Sequence, residues 1–259
     1  LKRKYKRVMQ FALLLIIVSV IGNMLMYSFN LSPFNLAVID HTRSISASNV
    51  TDIRIMSNTG DVNIVPYDGT EIVVHMKGKS EKRYQDNYRL SVEENGSEIT
   101  IEAEEFEKKR LFVINSGAYE LLVQLPQKEY EKLQVHTDLA DINVEKIQTK
   151  QSFLESSLGG ITANKLQGDI YSVTGLGNIN VQLQAFESDI DAQTSLGNIT
   201  ITTEIAPAAI QTNLRSGLGE RTIELPGLSN VDEASLGTGG PKVKLSTELG
   251  DLALLMADH

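Results

Sequence analysis

The sequence predicts an all-β, repetitive β-solenoid domain outside a membrane, preceded by one N-terminal transmembrane helix. Three observations predict it. TGLGNINVQL from Thr174 and TSLGNITITT from Thr194 nearly repeat one another, twenty residues apart. From Ile45 onward apolar and polar residues alternate in short runs, the pattern of half-buried strands. Ahead of both, LKRKYKR carries five basic residues and Met9–Phe29 runs without a charge.

That uncharged stretch is 21 residues long, and about 20 apolar residues in a helix span the ~30 Å hydrocarbon core of a bilayer. A cleavable signal would have an apolar region of about 7–15 residues and an Ala-x-Ala-like site after it. GNMLMYSFNLSPF offers no such site, so residues 9–29 read as an uncleaved anchor in the cell membrane. Lys2, Arg3, Lys4, Lys6 and Arg7 make residues 1–8 a cytoplasmic tail, which puts everything after Asn30 outside. Residues 30–44, with one Pro and no clean period, read as a stalk, the alternative being a segment packed onto the first strands.

The exterior domain is expected over residues 45–259, irregular to 126 and regular from 127. VTDIRIMS, DVNIVPY and EIVVHMKG read as strands, with turns at Asn58–Asp61 and Asp68-Gly69. YRLSVEE and EITIEAE flank Asn95-Gly96, the strongest short hairpin signal because both positions tolerate positive φ. FVIN and ELLVQLP follow, and Pro126 ends the second by removing a ladder donor.

Beyond Pro126 the units align as HTDLADINVEKI, ESSLGGITANKL, VTGLGNINVQL, QTSLGNITITT, LRSGLGERTIEL, EASLGTGGPKVKL and STELGDLALLM. The residue after Leu falls at Ala140, Gly159, Gly177, Gly197, Gly219, Gly237 and Gly250, in steps of 19, 18, 20, 22, 18 and 13. SNTGDVNIV shows the same turn at Gly60. A period near twenty marks a stacked architecture. Helical periodicity is absent from the exterior part, so each unit reads as one coil of short strands paired in parallel with its neighbours. In this reading the Gly permits a bent or left-handed corner, and the following Asn178, Asn198 or Asp251 bonds the backbone locally. The preceding Leu and following Ile then point inward.

LVQLP followed by LQVHTDLADINVEKI, then the reiterated small-x-Leu-Gly-[Asp/Asn]-[Ile/Val]-x-[Val/Ile] pattern, resembles the bacterial "putative adhesin" domain family, as in LiaG-like membrane-anchored proteins. The likeness covers roughly Ile45 to Met256. It implies a solenoid-like exterior domain and, for some members, a setting in the cell-envelope stress response.

Composition narrows the chemistry. The chain has no cysteine, which excludes a lipid-modified cysteine, a thiol nucleophile, thiolate metal sites and disulfides. Without the five basic tail residues, 19 Lys+Arg face 33 Asp+Glu, about −14, which disfavours nucleic acid and anionic polymers as partners. His41, His75, His136 and His259 lie too far apart in sequence to pair as metal ligands by helix or strand spacing. TGLGNI and LGTGGP lead into strands, whereas a dinucleotide site needs a helix there. No G-x-S-x-G elbow, Walker loop, H-E-x-x-H or twelve-residue calcium loop appears. Asp189/Asp191 and Asp138/Asp141, with Arg215 or Arg221, are the one set a polysaccharide-cleaving solenoid could use.

The expectation is therefore a non-enzymatic interaction or accessory protein with no cofactor and no metal. Its partners are the bilayer, through residues 9–29, and another envelope or membrane protein. The alternative is an adhesin binding a wall or host glycan through the polar face around Asn180, Gln182, Thr200 and Thr202. Only Tyr130, Phe153, Tyr171 and Phe186 are aromatic after Pro126, and LPQKEY and LPGLSN lack a sorting motif; both facts weigh against that alternative. Leu252, Leu254, Leu255 and Met256, apolar on both strand faces, read as an end cap or a partner contact.

Overall fold

The computed structural model describes residues 2–30, 32, 34–106 and 118–257. The chain opens with a 27-residue helix, α1 (Lys2–Ser28). Within it Lys4–Ser28 is long and apolar enough to cross a membrane. Twenty strands follow among the described residues. They begin with β1 (Leu36–Ser46), β2 (Asp52–Ser57), β3 (Asp61–Tyr67), β4 (Glu71–Glu81), β5 (Tyr88–Asn95), β6 (Glu98–Glu105) and β7 (Ala118–Pro126). Next come β8 (Glu129–Thr137), β9 (Ile142–Glu145), β10 (Gln148–Leu158), β11 (Ile161–Asn164), β12 (Gln167–Leu176), β13 (Ile179–Leu183) and β14 (Ile190–Leu196). The last are β15 (Ile199–Thr203), β16 (Ile210–Leu218), β17 (Arg221–Glu224), β18 (Glu233–Leu236), β19 (Lys242–Leu249) and β20 (Leu252–Met256). A 3-10 helix, Lys82–Asn87, joins β4 to β5.

The strands form two ten-stranded sheets, ordered β1-β4-β7-β3-β9-β11-β13-β15-β20-β17 and β18-β16-β19-β14-β12-β10-β8-β2-β6-β5. Each regular coil gives one strand to each sheet, and like strands of neighbouring coils pair in parallel. The core lies between the sheets, where identical positions stack. Ile142, Ile161, Ile179, Ile199 and Leu252 are register partners in one fully buried column. Val144, Ala163, Val181, Ile201 and Leu254 form the next. Parallel strands need a crossover, and here the opposite sheet supplies it. The Asn95-Gly96 hairpin joins β5 to β6, with Gly96 at φ 66°.

Three features differ from the sequence reading. The stalk expected over residues 30–44 is mostly strand: β1 pairs antiparallel with all of β4, from Leu36↔Glu81 to Ser46↔Glu71. Its alternation is masked by Asp40, Thr42 and Ser44 on the solvent side, which leaves only Ile39 buried. Second, stack order is not chain order. The last coil, β19–β20, lies between β14–β15 and the earlier coil β16–β17. Leu252–Met256 is therefore an interior strand paired on both edges, and not an end cap. Third, Gly237 is no coil corner: it ends β18, which pairs antiparallel with β16 at the edge of its sheet. FVIN and His259 lie outside the described residues.

Candidate functional site

The repeated corner is where the sequence signal concentrates. An alanine Cβ at Gly177 would lie 2.2 Å from the Gly159 carbonyl oxygen; the matching distances are 2.0 Å for Gly197 to Gly177, Gly250 to Gly197 and Gly219 to Gly250. Each glycine thus lets its coil stack on the backbone of the one below. Close approach is the main requirement, since Gly159 and Gly177 do not have the positive φ expected of a left-handed corner. The same carbonyls accept buried hydroxyls from the next coil: Thr174 Oγ1 to Gly159 O at 2.7 Å, Thr194 to Gly177 at 3.0 Å and Thr247 to Gly197 at 3.1 Å. Ser156 and Ser216 repeat the bond to Ala140 and Gly250. This explains the small hydroxyl residue three before each glycine.

The Asn/Asp after the glycine bonds the next coil, contrary to the local bond expected. Asp61 Oδ1 accepts from Asp141 N, Asp141 Oδ1 from Gly160 N, Asn178 Oδ1 from Asn198 N, Asn198 Oδ1 from Asp251 N and Asp251 Oδ1 from Glu220 N. One rung is missing, because Gly160 has no side chain to offer Asn178. A Cβ there meets nothing closer than 3.4 Å. Gly160→Asn is expected to complete the ladder and add about 1 kcal/mol, a rise of roughly 2–4 °C in Tm, read by calorimetry of the full chain.

The leucine before the glycine points out, not in. Leu139, Leu158, Leu176, Leu196, Leu249 and Leu218 are between 44% and 69% exposed. The chain turns directly after the buried hydroxyl residue, so the alternation that would carry Leu inward is broken. Register places Leu158, Leu176, Leu196, Leu249 and Leu218 side by side. Leu139 holds the same place in the preceding coil, bonded to Asn58 O below while Leu158 N bonds Asp138 O. At ~4.8 Å per strand the ridge runs about 24 Å. Its borders are the residues just before each Leu and just after each small residue. Asp138, Asp141, Glu220, Glu248 and Asp251 stand there, and no Lys or Arg does.

The polar face expected on the first sheet also exists, with Asn180 opposite Thr200 and Gln182 opposite Thr202. Asp141, Asn143, Thr162, Asn178 and Asn180 line a shallow groove of about 350 Å³ there. The face ends at β20, where Ala253 and Leu255 follow Thr200 and Thr202 in register; Leu255 and Met256 are half-buried, whereas Leu252 and Leu254 are in the core.

Tyr130 and Phe186 are buried, and burial pushes the Tyr130 phenol pKa far up. Phe153 and Tyr171, eighteen residues apart, stack on the outside of the second sheet with ring centroids 4.9 Å apart and planes 8° off parallel. Lys132 Nζ covers the Phe153 ring at 5.0 Å. The pair packs face on face across two strands, so it offers a sugar ring edges more than a flat platform.

The acidic pairs serve the frame. Asp189 Oδ1 accepts from Lys242 N, Asp191 meets Lys244 Nζ at 2.9 Å, and Asp138 lies beside His136. Arg221 pairs with Asp232 at 2.9 Å and Arg215 bonds Asn213. Among the described residues no three His, Asp or Glu side chains group as metal ligands would.

Comparison with known proteins gives this geometry a family. No curated protein sequence matches the chain. A "putative cell adhesion protein" from Clostridium sporogenes shares the fold, with a TM-score of 0.53 at 11% identity over 85% of this chain and 100% of that one. A "putative adhesin" from Bacteroides fragilis is similar at a TM-score of 0.39 and 10% identity, over 85% and 97%. The Toastrack DUF4097 model matches twice, at residues 50–176 and 131–255, the overlap reflecting the repeat. The chain belongs to the Toastrack DUF4097 family.

Proposed function

We propose that this is a non-enzymatic interaction protein, anchored by α1 with its N-terminus in the cytoplasm, that engages another envelope protein outside the membrane. The leucine ridge carries the reading. Six half-exposed leucines in one line are a contiguous apolar feature, of the kind that marks an interaction surface. The acidic border selects a partner segment with apolar side chains and basic flanks. The five basic residues before the span support the orientation, and the likeness to LiaG-like proteins supports a role in envelope stress or homeostasis.

Leu176→Lys with Leu196→Lys leaves the core and the glycine column untouched. This pair is expected to abolish cross-linking of the full-length protein to its partner in cells under envelope stress, while Asn180→Lys with Thr200→Lys keeps it. Cross-linking that survives the leucine pair would sink the ridge as the binding surface.

The second reading is an adhesin that binds wall glycan in the groove beside Asn143 and Asn180, and the adhesion protein of like fold is its support. Saturable binding of the detergent-solubilised chain to purified cell walls, at low and physiological salt alike, would favour it over the first.

A further inference from the structure

The junction between the helix and the domain is built, and it presents a second surface. Asn30, at φ 56°, closes α1 with its N–H on Tyr27 O. The chain then folds back, with Ser32 N on Met26 O and Asn35 N on Ser32 O. The Asn35 amide donates to Tyr27 O at 3.3 Å and to Asn30 Oδ1 at 2.8 Å. On the domain side Lys82 N bonds Asn35 O at 2.7 Å, extending the β1–β4 ladder into the 3-10 helix. The turn is thus tied both to the last turn of α1 and to the first sheet.

Directly after it, Phe34, Leu36 and Val38 occupy alternate positions and are 51% to 71% exposed. Lys79 stands opposite Val38, Lys77 opposite Asp40, and Lys82 beside Asn35. All three lysines are exposed and make no ion pair among the described residues: Asp40 is taken by His75 at 3.0 Å, and Glu120, opposite Lys77 on β7, accepts from the Asn63 amide. In a domain of strongly negative net charge, this end is apolar and basic.

We propose that this surface, Phe34, Leu36 and Val38 with Lys77, Lys79 and Lys82, rests on the headgroup layer of the bilayer that α1 spans, favouring anionic lipid. The inference rests on the anchored reading of α1. Three arguments select the bilayer. The patch is continuous with the anchor. The ten residue-to-residue steps from Ser28 to Val38 reach at most about 33 Å even when extended, and the folded-back turn shortens that. Exposed lysines next to a span are drawn to anionic headgroups.

The chain contains no tryptophan, so an introduced one is a clean reporter. The full chain is reconstituted in nanodiscs of brominated phosphatidylcholine, with and without phosphatidylglycerol, bearing Val38→Trp, Val18→Trp in α1 or Ser195→Trp on the second sheet. Quenching is expected for Val18→Trp and Val38→Trp and not for Ser195→Trp, with a blue-shifted Val38→Trp emission. Phosphatidylglycerol is expected to deepen the Val38→Trp quenching, and Lys77→Glu, Lys79→Glu and Lys82→Glu together to halve it or more. Val38→Trp behaving like Ser195→Trp, while Val18→Trp is quenched, overturns the inference and leaves the anchor intact. An unquenched Val18→Trp overturns the anchor and the inference with it. Val38→Trp quenching indifferent to both lipid charge and the lysine variant overturns the headgroup contact.

Discussion

Gly197→Ala is expected to be among the most damaging single methyl additions in the molecule. The new Cβ would sit 2.0 Å from the Gly177 carbonyl oxygen and 2.6 Å from its carbon. These are backbone atoms, so no side chain can swing aside; two coils must part. The φ of 150° at Gly197 is also one that L residues rarely adopt. Parting the coils would stretch the Thr194 hydroxyl bond to Gly177 and the Asn178–Asn198 rung. Overpacking of this kind typically costs about 1–3 kcal/mol, occasionally more. The upper end corresponds to a fall of roughly 6–12 °C in Tm for a domain of this size. Gly160→Ala is the control, since its Cβ finds 3.4 Å of clearance. It is expected to hold or raise Tm, because Ala restricts the unfolded chain. Equal Tm values for the two variants, measured by calorimetry on the full chain, would refute close stacking as the reason for the glycine column.

Much of this was legible because stacking writes one environment many times. Ile179, Val181, Ile199 and Ile201 declared their inward faces through a two-residue period, and the glycines declared their corner through spacing. The leucine ridge was misread because alternation was carried past Ser156, Thr174 and Thr194, where the chain has already begun to turn. A hydroxyl residue standing where a core aliphatic belongs is the signal that this occurs. Phe153 and Tyr171 could be brought together only once an eighteen-residue coil put them in register. The order of the last coils was not legible. Units ending at Gly219 and Gly250 carry the same corner, and nothing in a shared motif says which of two identical edges each will fill. The uneven steps of 22, 18 and 13 residues were the visible trace of that rearrangement. The polar face around Asn180 and Thr200 was legible as a face, but its end at Ala253 and Leu255 depended on that same order.

That order makes the C-terminal coil structural, and a chain ending at Gly240 should show it. In a solenoid stacked in chain order, losing the last coil shortens the stack by one and leaves the rest standing. Here β19 and β20 lie within the stack, and they carry Val243, Leu245, Leu252 and Leu254, each at most 1% exposed. Four such side chains at about 1.5–3 kcal/mol each amount to a burial term comparable with the whole stability of a domain, about 5–15 kcal/mol. Among the described residues, their loss also removes the one sheet neighbour of β17 and leaves β16 with β18 alone. The expected result is release of residues 210–240, seen as rapid cleavage there in limited proteolysis, and aggregation through the bared edges of β14 and β15. One escape competes. Residues 204–209 join β15 to β16 with the same length as 184–189, which join β13 to β14 one coil apart. The freed coil could therefore slide down onto β14–β15. Sliding would bring Thr212 beside Ile190, where Val243 now stands between them, replacing an aliphatic core contact with a hydroxyl. That mismatch, and the loss of four buried aliphatics that the slide does not restore, make release the favoured outcome. Protection of residues 210–224 in the shortened chain would instead mean that the coil has slipped and that β19–β20 is an insertion the fold can do without.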